Sequence, residues 1–258
     1  MSVPEAPHIL ILGGTGEAAA LAGAVVARGS DRVKVTTSLA GRTAAPAAVP
    51  GESRVGGFGG PDGMARYLKE AGVSVVVDAT HPFATQVSRH AVTACSAAGV
   101  PRLRLDRPAW TPGDGDRWHM MPSISDAAQA LPDYGRRAFL TVGRTELAPF
   151  AACRDVWFLV RMVDRPETPL PLANSVLEIG RGPFDVAAER DLMSRHEIDI
   201  LVCKASGGDM TRAKLDAARA LQCPVLMIAR PRAPDGPRVH SVAGAMDWIG
   251  NRIGALWT

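Results

Sequence analysis

The sequence is poor in cysteine and in long apolar runs. Its four cysteines are widely separated and form no C-x-x-C pair, a spacing that argues against a zinc site and against a disulfide framework. No apolar run reaches the roughly 18 residues of a membrane-spanning helix, and the N-terminus lacks the layout of a signal peptide. We therefore predict a cytoplasmic protein with no metal site and no membrane partner.

Lysine is also scarce, since only Lys34, Lys69, Lys204 and Lys214 are lysines and the other cations are arginines. Arginine suits bidentate binding of carboxylates and phosphates, although genome composition explains the same bias. The net charge of +3 is too small to indicate a nucleic-acid partner. The length of 258 residues accommodates one large α/β domain or two small ones.

A glycine-rich turn organises the start of the chain. The apolar run Ile9–Leu12 ends in glycines and an alanine-rich helical segment follows, which predicts a strand, a tight turn and a helix. From Gly14 the spacing is G-x-G-x-x-A, the dinucleotide-binding fingerprint with Ala19 in the last place. A turn that binds nothing is the alternative. The predicted cofactor-binding residues here are Gly13, Gly14, Thr15, Gly16 and Glu17.

The end of the second predicted strand, Arg32–Thr37, indicates which dinucleotide is bound. NAD-binding sites usually carry an acidic residue there to hold the ribose 2′-hydroxyl. This sequence has none between Ser38 and Arg42. Because these two side chains suit a 2′-phosphate, we predict NADP(H) as the cofactor. A solvated loop arginine is the alternative interpretation of Arg42.

A second glycine-rich stretch, Gly56–Gly60, precedes a helix predicted from about Pro61 to Ala71. Four glycines in five positions require a sharp turn or a close approach to another group. A loop that contacts the cofactor through Gly59 and Gly60 and a plain strand-to-helix loop explain the pattern equally well.

A third motif follows the buried strand Val73–Val77, where the chain reads D-A-T-H-P-F-A from Asp78. Ligands bind beyond the carboxyl ends of strands in open parallel sheets. Thr80, His81 and Pro82 are therefore predicted to lie near a nicotinamide. By position alone His81 is the best candidate for a proton donor, and a histidine satisfied by backbone at the helix start is the alternative.

The segment Ala109–Gly115 has the proline, glycine and aspartate content of a domain boundary. Before it, Pro101–Leu105 is expected to complete the first sheet. After it, strands and helices alternate again, and the final helix, Met246–Ile253, is expected in the second half. The sequence thus predicts two related α/β domains, residues 1–108 and 109–258.

Taken together, these motifs resemble the precorrin-6A reductase family. The resemblance rests on G-G-T-G-E at 13–17, D-A-T-H-P-F-A at 78–84 and K-A-S-G at 204–207, and it covers essentially the whole chain. It implies two Rossmann-like parallel-sheet domains of the α/β class with the active site in the cleft between them. It also implies that NADPH reduces one double bond of precorrin-6A to give precorrin-6B in cobalamin biosynthesis.

The macrocycle carries acetate and propionate carboxylates, so cations at the predicted carboxyl ends of strands become candidate substrate ligands. Lys204, like His81, is a candidate catalytic residue, although a role for Lys204 as a simple anchor of a substrate carboxylate is favoured. Ser206 has a helix cap as its alternative role. The predicted substrate-binding residues are Arg107, Arg144, Lys204, Ser206, Gly207 and Arg230.

Precorrin-6A and neighbouring enzymes of the corrin pathway are the predicted partners. Two rival functions stay open on the sequence alone. One is a different NADP-dependent reductase on the same scaffold, and the other is a non-enzymatic module that senses NADP. The sequence does not indicate whether the substrate contains cobalt.

Overall fold

The computed structural model describes residues 6–29, 32–41 and 48–254. The chain forms two compact units, Met1–Pro108 with Pro231–Thr258, and Ala109–Arg230. The first division lies after Pro108, as the composition predicts. The second domain was expected to reach residue 258, but the chain returns to the first unit at Pro231. That part of the prediction is wrong.

The first unit contains a six-stranded parallel sheet in the order β3-β2-β1-β4-β5-β12. This is the 3-2-1-4-5-6 order of dinucleotide-binding folds, in which successive strands are added on one side of β1 up to β3 and on its other side from β4 onward. The strands are β1 (His8–Leu12), β2 (Lys34–Leu39), β3 (Glu52–Val55), β4 (Val73–Asp78), β5 (Arg102–Leu105) and β12 (Arg238–Val239).

Helices cover both faces of this sheet, as uninterrupted apolar strands require. Ile9 and Ile11 of β1 face one core, whereas Leu10 and Leu12 face the other. No helix in the described ranges is long and apolar enough to cross a membrane. The helices of the first unit are α1 (Gly16–Gly29), α2 (Gly60–Glu70), α3 (Thr85–Ala98) and α7 (Val242–Ile253).

The C-terminal segment completes the first unit. Arg238 and Val239 of β12 pair in parallel with Arg104 and Leu105 of β5, so β5 is not the edge strand that the sequence suggests. Helix α7 buries Ala245 and Ile249 in the core that also contains Leu21 and Val25 of α1. Burial of these side chains accounts for the return of the chain to the first unit.

The second unit contains its own six-stranded parallel sheet, ordered β9-β8-β7-β10-β11-β6. The edge position next to β11 is occupied by β6, the first strand of this unit in the chain. The sequence analysis missed β9, whose side chains are only partly buried. The strands are β6 (Trp118–Met121), β7 (Arg137–Leu140), β8 (Trp157–Met162), β9 (Ser175–Ile179), β10 (Ile200–Lys204) and β11 (Val225–Ile228).

Three α-helices and two short 3-10 helices accompany the second sheet. Both 3-10 helices follow β7, where the first unit has the longer α1 after its central strand. The α-helices are α4 (Ile124–Tyr134), α5 (Val186–Arg195) and α6 (Ala213–Ala220), and the 3-10 helices span Arg144–Glu146 and Ala148–Ala152.

Candidate cofactor and substrate sites

The turn between β1 and α1 is fastened to the end of β4 by one side chain. Thr15 donates a hydrogen bond from Oγ1 to the Ala79 carbonyl at 2.7 Å and accepts one from the Ala18 N–H at 3.1 Å. The hydroxyl therefore caps α1 and links the carboxyl end of β1 to that of β4. Thr15 offers a cofactor its backbone, since its side chain is already engaged within the protein.

The glycines of this turn fit the diphosphate of a dinucleotide. Gly14 has φ +98°, and a Cβ placed on it would meet no atom within 4 Å, so the turn faces open space. Gly13 has a packing role, because its Cβ would lie 2.7 Å from Thr37 Cγ2. Helix α1 begins at Gly16, and the first N–H groups of a helix have no partner within it, although Thr15 already caps that of Ala18. Those groups bind phosphate readily.

The carboxyl ends of β2 and β3 place a cation beside Ser38. Arg54 is the register partner of Ser38, and its Nη1 donates to Ser38 Oγ at 2.8 Å. The same guanidinium donates to the carbonyls of Gly56 and Gly57 and stacks 3.9 Å from the Phe58 ring centre. The sequence analysis missed Arg54, although its place just before the glycine-rich loop was a usable signal. The predicted phosphate ligand Arg42 lies outside the described residues.

The glycine-rich loop that follows β3 requires glycine at several positions. Gly56, Gly59 and Gly60 have φ of +112°, +77° and +89°, a region that side chains strongly disfavour. Added Cβ atoms at these three positions would meet nothing within 4 Å. The loop therefore presents open backbone before α2, which fits the predicted cofactor contact of Gly59 and Gly60.

A buried ion pair lies beneath the Thr80–Pro82 segment. Arg104 Nη1 is 2.8 Å from Asp78 Oδ1, and the two side chains are 3% and 0% exposed. Arg104 also donates to the Thr80 hydroxyl at 3.0 Å, to the Thr80 carbonyl at 3.1 Å and to Ser88 Oγ at 3.0 Å. Thr80 in turn donates to Asp78 Oδ1 at 2.7 Å. The hydroxyl and carbonyl of Thr80 thus hold this strand end in place through hydrogen bonds within the protein.

His81 is partly exposed directly after this network, and Pro82 is buried. The Phe83 N–H donates to His81 Nδ1 at 3.2 Å. Because Nδ1 accepts this hydrogen bond, the neutral ring carries its proton on Nε2. His81 is therefore arranged to donate a hydrogen bond from Nε2, whereas a doubly protonated ring would set two N–H groups against each other.

The second unit has an equivalent reversal point between β7 and β10, and a salt bridge spans it. Lys204 Nζ lies 2.7 Å from Glu146 Oε2, with the side chains 15% and 27% exposed. Glu146 Oε2 also accepts the Gly143 N–H at 2.7 Å. Glu146 was missed by the sequence analysis. Arg144, between these residues, is exposed.

The turn after β10 is held by a second cation. Arg230 donates from Nε to the Ala205 carbonyl at 3.2 Å and from Nη2 to the Ser206 carbonyl at 2.8 Å. Gly207 has φ +70°, which explains a glycine there. Helix α6 begins only at Ala213, so Ser206 does not cap it and that alternative is wrong.

Arg107 belongs to the first unit, whereas the other predicted substrate ligands belong to the second. Its Nη2 is 3.0 Å from Glu17 Oε2 in the first turn of α1. Burial is the main cause that lowers the pKa of Arg107, and Glu17 and Asp106 oppose this effect.

The cysteine thiols have the properties of core residues. Burial raises the pKa of Cys203 to about 11 and that of Cys223 to about 12. Cys95 is shifted in the same way to about 11. Since the thiolate is the reactive form, these thiols are poor nucleophiles at neutral pH.

A doubly wound parallel sheet whose reversal point carries a glycine fingerprint is the architecture of Rossmann-like α/β proteins. The family model described as "Precorrin-6x reductase CbiJ/CobK" matches residues 8–250. The chain belongs to the precorrin-6x reductase family.

Individual relatives agree with this assignment over nearly their full lengths. The precorrin-6A reductase of Rhodococcus erythropolis is 50% identical over 94% of this chain and 97% of its own. The precorrin-6A reductase of Rhodobacter capsulatus is 43% identical, with 94% and 95% covered. The solved structure "CobK precorrin-6A reductase" matches with a TM-score of 0.91 at 42% identity, over 95% of this chain and 97% of that one.

These comparisons confirm the resemblance, the reductase activity and the α/β fold class with two parallel sheets. The individual site residues stay predictions. Within the first unit the structure brings together the glycine turn, Ser38, Thr80 and His81 at the carboxyl edge of one sheet. Within the second it brings together Arg144, Lys204 and Ser206 in the same way. Arg107 lies in the first unit, where it pairs with Glu17, and its predicted role as a substrate ligand stays a prediction.

Proposed function

We propose that this chain reduces one double bond of precorrin-6A to give precorrin-6B, with NADPH as the hydride donor. The Ser38–Arg54 pair carries the cofactor half of this proposal. It lies at the end of β2, where the ribose of a bound dinucleotide is expected. No carboxylate occurs from Ser38 to Gly41 to repel a 2′-phosphate.

Arg54 has the geometry of a phosphate ligand. Its three hydrogen bonds to Ser38, Gly56 and Gly57 use both Nη1 hydrogens and one on Nη2. A guanidinium has five N–H groups, so Nε and the second Nη2 hydrogen are left for an incoming phosphate. Two adjacent N–H groups bind phosphate in bidentate fashion. The stack on Phe58 fixes the plane of the guanidinium in advance.

At the other end of the site, the chain holds the reacting partners in position. NADPH supplies the hydride when it is bound, and the protein supplies orientation and electrostatics. The buried pair of Asp78 and Arg104 fixes the strand end, and His81 projects from it with a proton on Nε2. We propose that the His81 ring orients the nicotinamide amide or the macrocycle.

In the second unit, we assign the substrate carboxylates chiefly to Arg144 and Lys204. Arg144 is exposed at the start of a 3-10 helix, where an incoming carboxylate has access to it. Lys204 forms a salt bridge with Glu146, so it binds a substrate carboxylate less strongly than a lysine without that salt bridge would. Arg230 positions the Ala205–Ser206 backbone, and we assign the buried Ser206 hydroxyl a contact with the substrate.

The comparisons favour a cobalt-free substrate. Five relatives named precorrin-6A reductase are 42–50% identical to this chain. Three relatives named cobalt-precorrin-6A reductase are 27–31% identical. We therefore propose that the natural substrate is precorrin-6A itself and that the cobalt complex is a poorer substrate.

One assay tests the proposal directly. The purified protein is mixed with NADPH and either precorrin-6A or its cobalt complex, and loss of the reduced nicotinamide is followed spectroscopically. We expect oxidation that depends on precorrin-6A and a product heavier by two hydrogens. NADH in place of NADPH should give a much lower rate at equal concentration. Consumption of neither nucleotide in the presence of precorrin-6A would contradict the proposal.

A further inference from the structure

The carboxyl edge of the first sheet carries a row of alternating charges. Asp78 pairs with Arg104 at 2.8 Å, and Arg104 approaches Asp106 at 3.7 Å. Arg107 follows in the chain and pairs with Glu17 at 3.0 Å. The row ends at the first turn of α1, one residue past Gly16 of the fingerprint. It therefore reaches from the strand end below His81 to the predicted diphosphate site.

This row contains three carboxylates and two guanidiniums, so it has a net charge of −1. A diphosphate that binds at the start of α1 adds further negative charge next to Glu17. A cation of the row that turned toward the diphosphate would reduce this repulsion. Arg104 is unsuited, because it is buried and already bonded to Asp78, Thr80 and Ser88.

Arg107 is better placed than Arg104 to change its partner, because it is less deeply buried. Its side chain is 11% exposed and its partner Glu17 is 29% exposed, so this pair is less deeply buried than the Asp78–Arg104 pair. The carboxylate already receives stabilisation from the N-terminus of α1. If Arg107 leaves Glu17, the charge of the Glu17 carboxylate is therefore still stabilised in part by the helix N-terminus and by water.

We propose that Arg107 belongs to the cofactor site, where it exchanges Glu17 for the diphosphate of NADPH. Glu17 keeps the guanidinium over the start of α1 until the nucleotide arrives. This inference rests on the proposed use of NADPH. It replaces the predicted role of Arg107 as a macrocycle ligand and assigns Glu17 the role of a competing anion.

Nucleotide titrations of single variants test the exchange. Arg107→Gln should weaken NADPH binding by about tenfold or more, whereas Arg107→Lys, which keeps the charge, should weaken it less. Glu17→Gln should tighten NADPH binding several-fold, because it removes the competitor. Arg66→Gln is the matched control, since Arg66 is exposed on α2 of the same unit and its loss should leave the affinity unchanged. Thermal melts establish that each variant is folded.

Adenosine 2′-monophosphate serves as a second probe because it lacks the diphosphate. Its binding should be unaffected by Arg107→Gln and weakened by Arg54→Gln. Failure of the wild-type protein to bind NADPH would defeat the proposed function itself.

Two results would overturn the exchange while leaving the proposed function intact. One is an unchanged NADPH affinity in Arg107→Gln combined with a raised KM for precorrin-6A, which would return Arg107 to the macrocycle. The other is weaker NADPH binding in Glu17→Gln, which would make Glu17 a direct ligand of the nucleotide.

Discussion

Arg54 and Ser38 are register partners on neighbouring parallel strands, and the guanidinium donates to the hydroxyl at 2.8 Å. This contact places a preoriented cation at the strand end where an NAD-specific site would have a carboxylate. Arg54 and the sequence-predicted Arg42 are thus two candidates for one role, and they are separable by mutation.

Arg54→Gln should weaken NADPH binding by about 1.5–3 kcal/mol, the range for a hydrogen bond to a charged group. NADH binding should change little, because NADH has no 2′-phosphate. Titration of both nucleotides measures the difference, and Arg42→Ala is compared in parallel. If Arg42→Ala alone shows the NADPH-specific loss, the phosphate is held by Arg42 and the assignment of Arg54 is wrong.

Gly16→Val should abolish NADPH binding while the protein stays folded, because the branched side chain would occupy the place of the diphosphate. Gly23→Ala is the control within the same helix, since its Cβ would lie 3.6 Å from Pro50 Cγ, an ordinary contact. That change should preserve binding and stabilise the helix by up to about 1 kcal/mol. Normal NADPH affinity in Gly16→Val would show that the phosphates bind elsewhere.

Lys204→Ala should raise the KM for precorrin-6A by about tenfold and leave NADPH affinity within about twofold. If Lys204 anchors a carboxylate equally in the ground and transition states, kcat stays constant. Lys69→Ala, an exposed lysine on α2, is the control. A large fall in kcat at constant KM would instead mean that Lys204 stabilises charge in the transition state.

Ser206→Ala should leave stability unchanged and raise the KM for precorrin-6A, because Ser206 caps no helix. Ser241→Ala provides the comparison, since Ser241 Oγ accepts the Gly244 N–H at the start of α7. Loss of that cap should cost about 1 kcal/mol. Chemical denaturation and steady-state kinetics on both variants measure the two effects. Equal losses of stability would contradict a ligand-facing role for Ser206.

Arg104→Met should lower the free energy of unfolding by about 3–5 kcal/mol, because it leaves the Asp78 carboxylate buried without its cation. Arg232→Met is the matched control, since the Arg232–Asp235 pair is 89% and 90% exposed. Its loss should change stability by no more than about 0.5 kcal/mol. Urea unfolding measures both, and similar values for the two variants would argue against a structural role for the buried pair.

The sequence alone was sufficient to predict the central strands, the glycine turn and the family. The buried strands β1, β4 and β10 are continuous apolar runs, and such runs report burial on both faces whatever their neighbours are. The turn at Gly14 needs a positive φ, so its chemistry is also local. The motifs around His81 and Lys204 identified the family for the same reason, since each is complete within a few residues.

The partners of these side chains were decided by tertiary structure. Lys204 and Glu146 are 58 positions apart, and the strand order around β7 and β10 brings them together. Arg54 faces Ser38 because β3 pairs with β2 in one register, which periodicity does not reveal. The hydroxyl and carbonyl of Thr80 accept hydrogen bonds from Arg104 on the neighbouring strand, a partner that the local motif does not reveal.

The return of residues 231–258 to the first unit is the clearest case of tertiary control. Strand β12 has only two residues, too few to display a period. Its pairing with β5 joins positions more than a hundred residues apart. The sequence of α7 shows an apolar face but not which sheet that face covers. Burial of Ala245 and Ile249 in the core that α1 shares made that choice, because it removes both side chains from water.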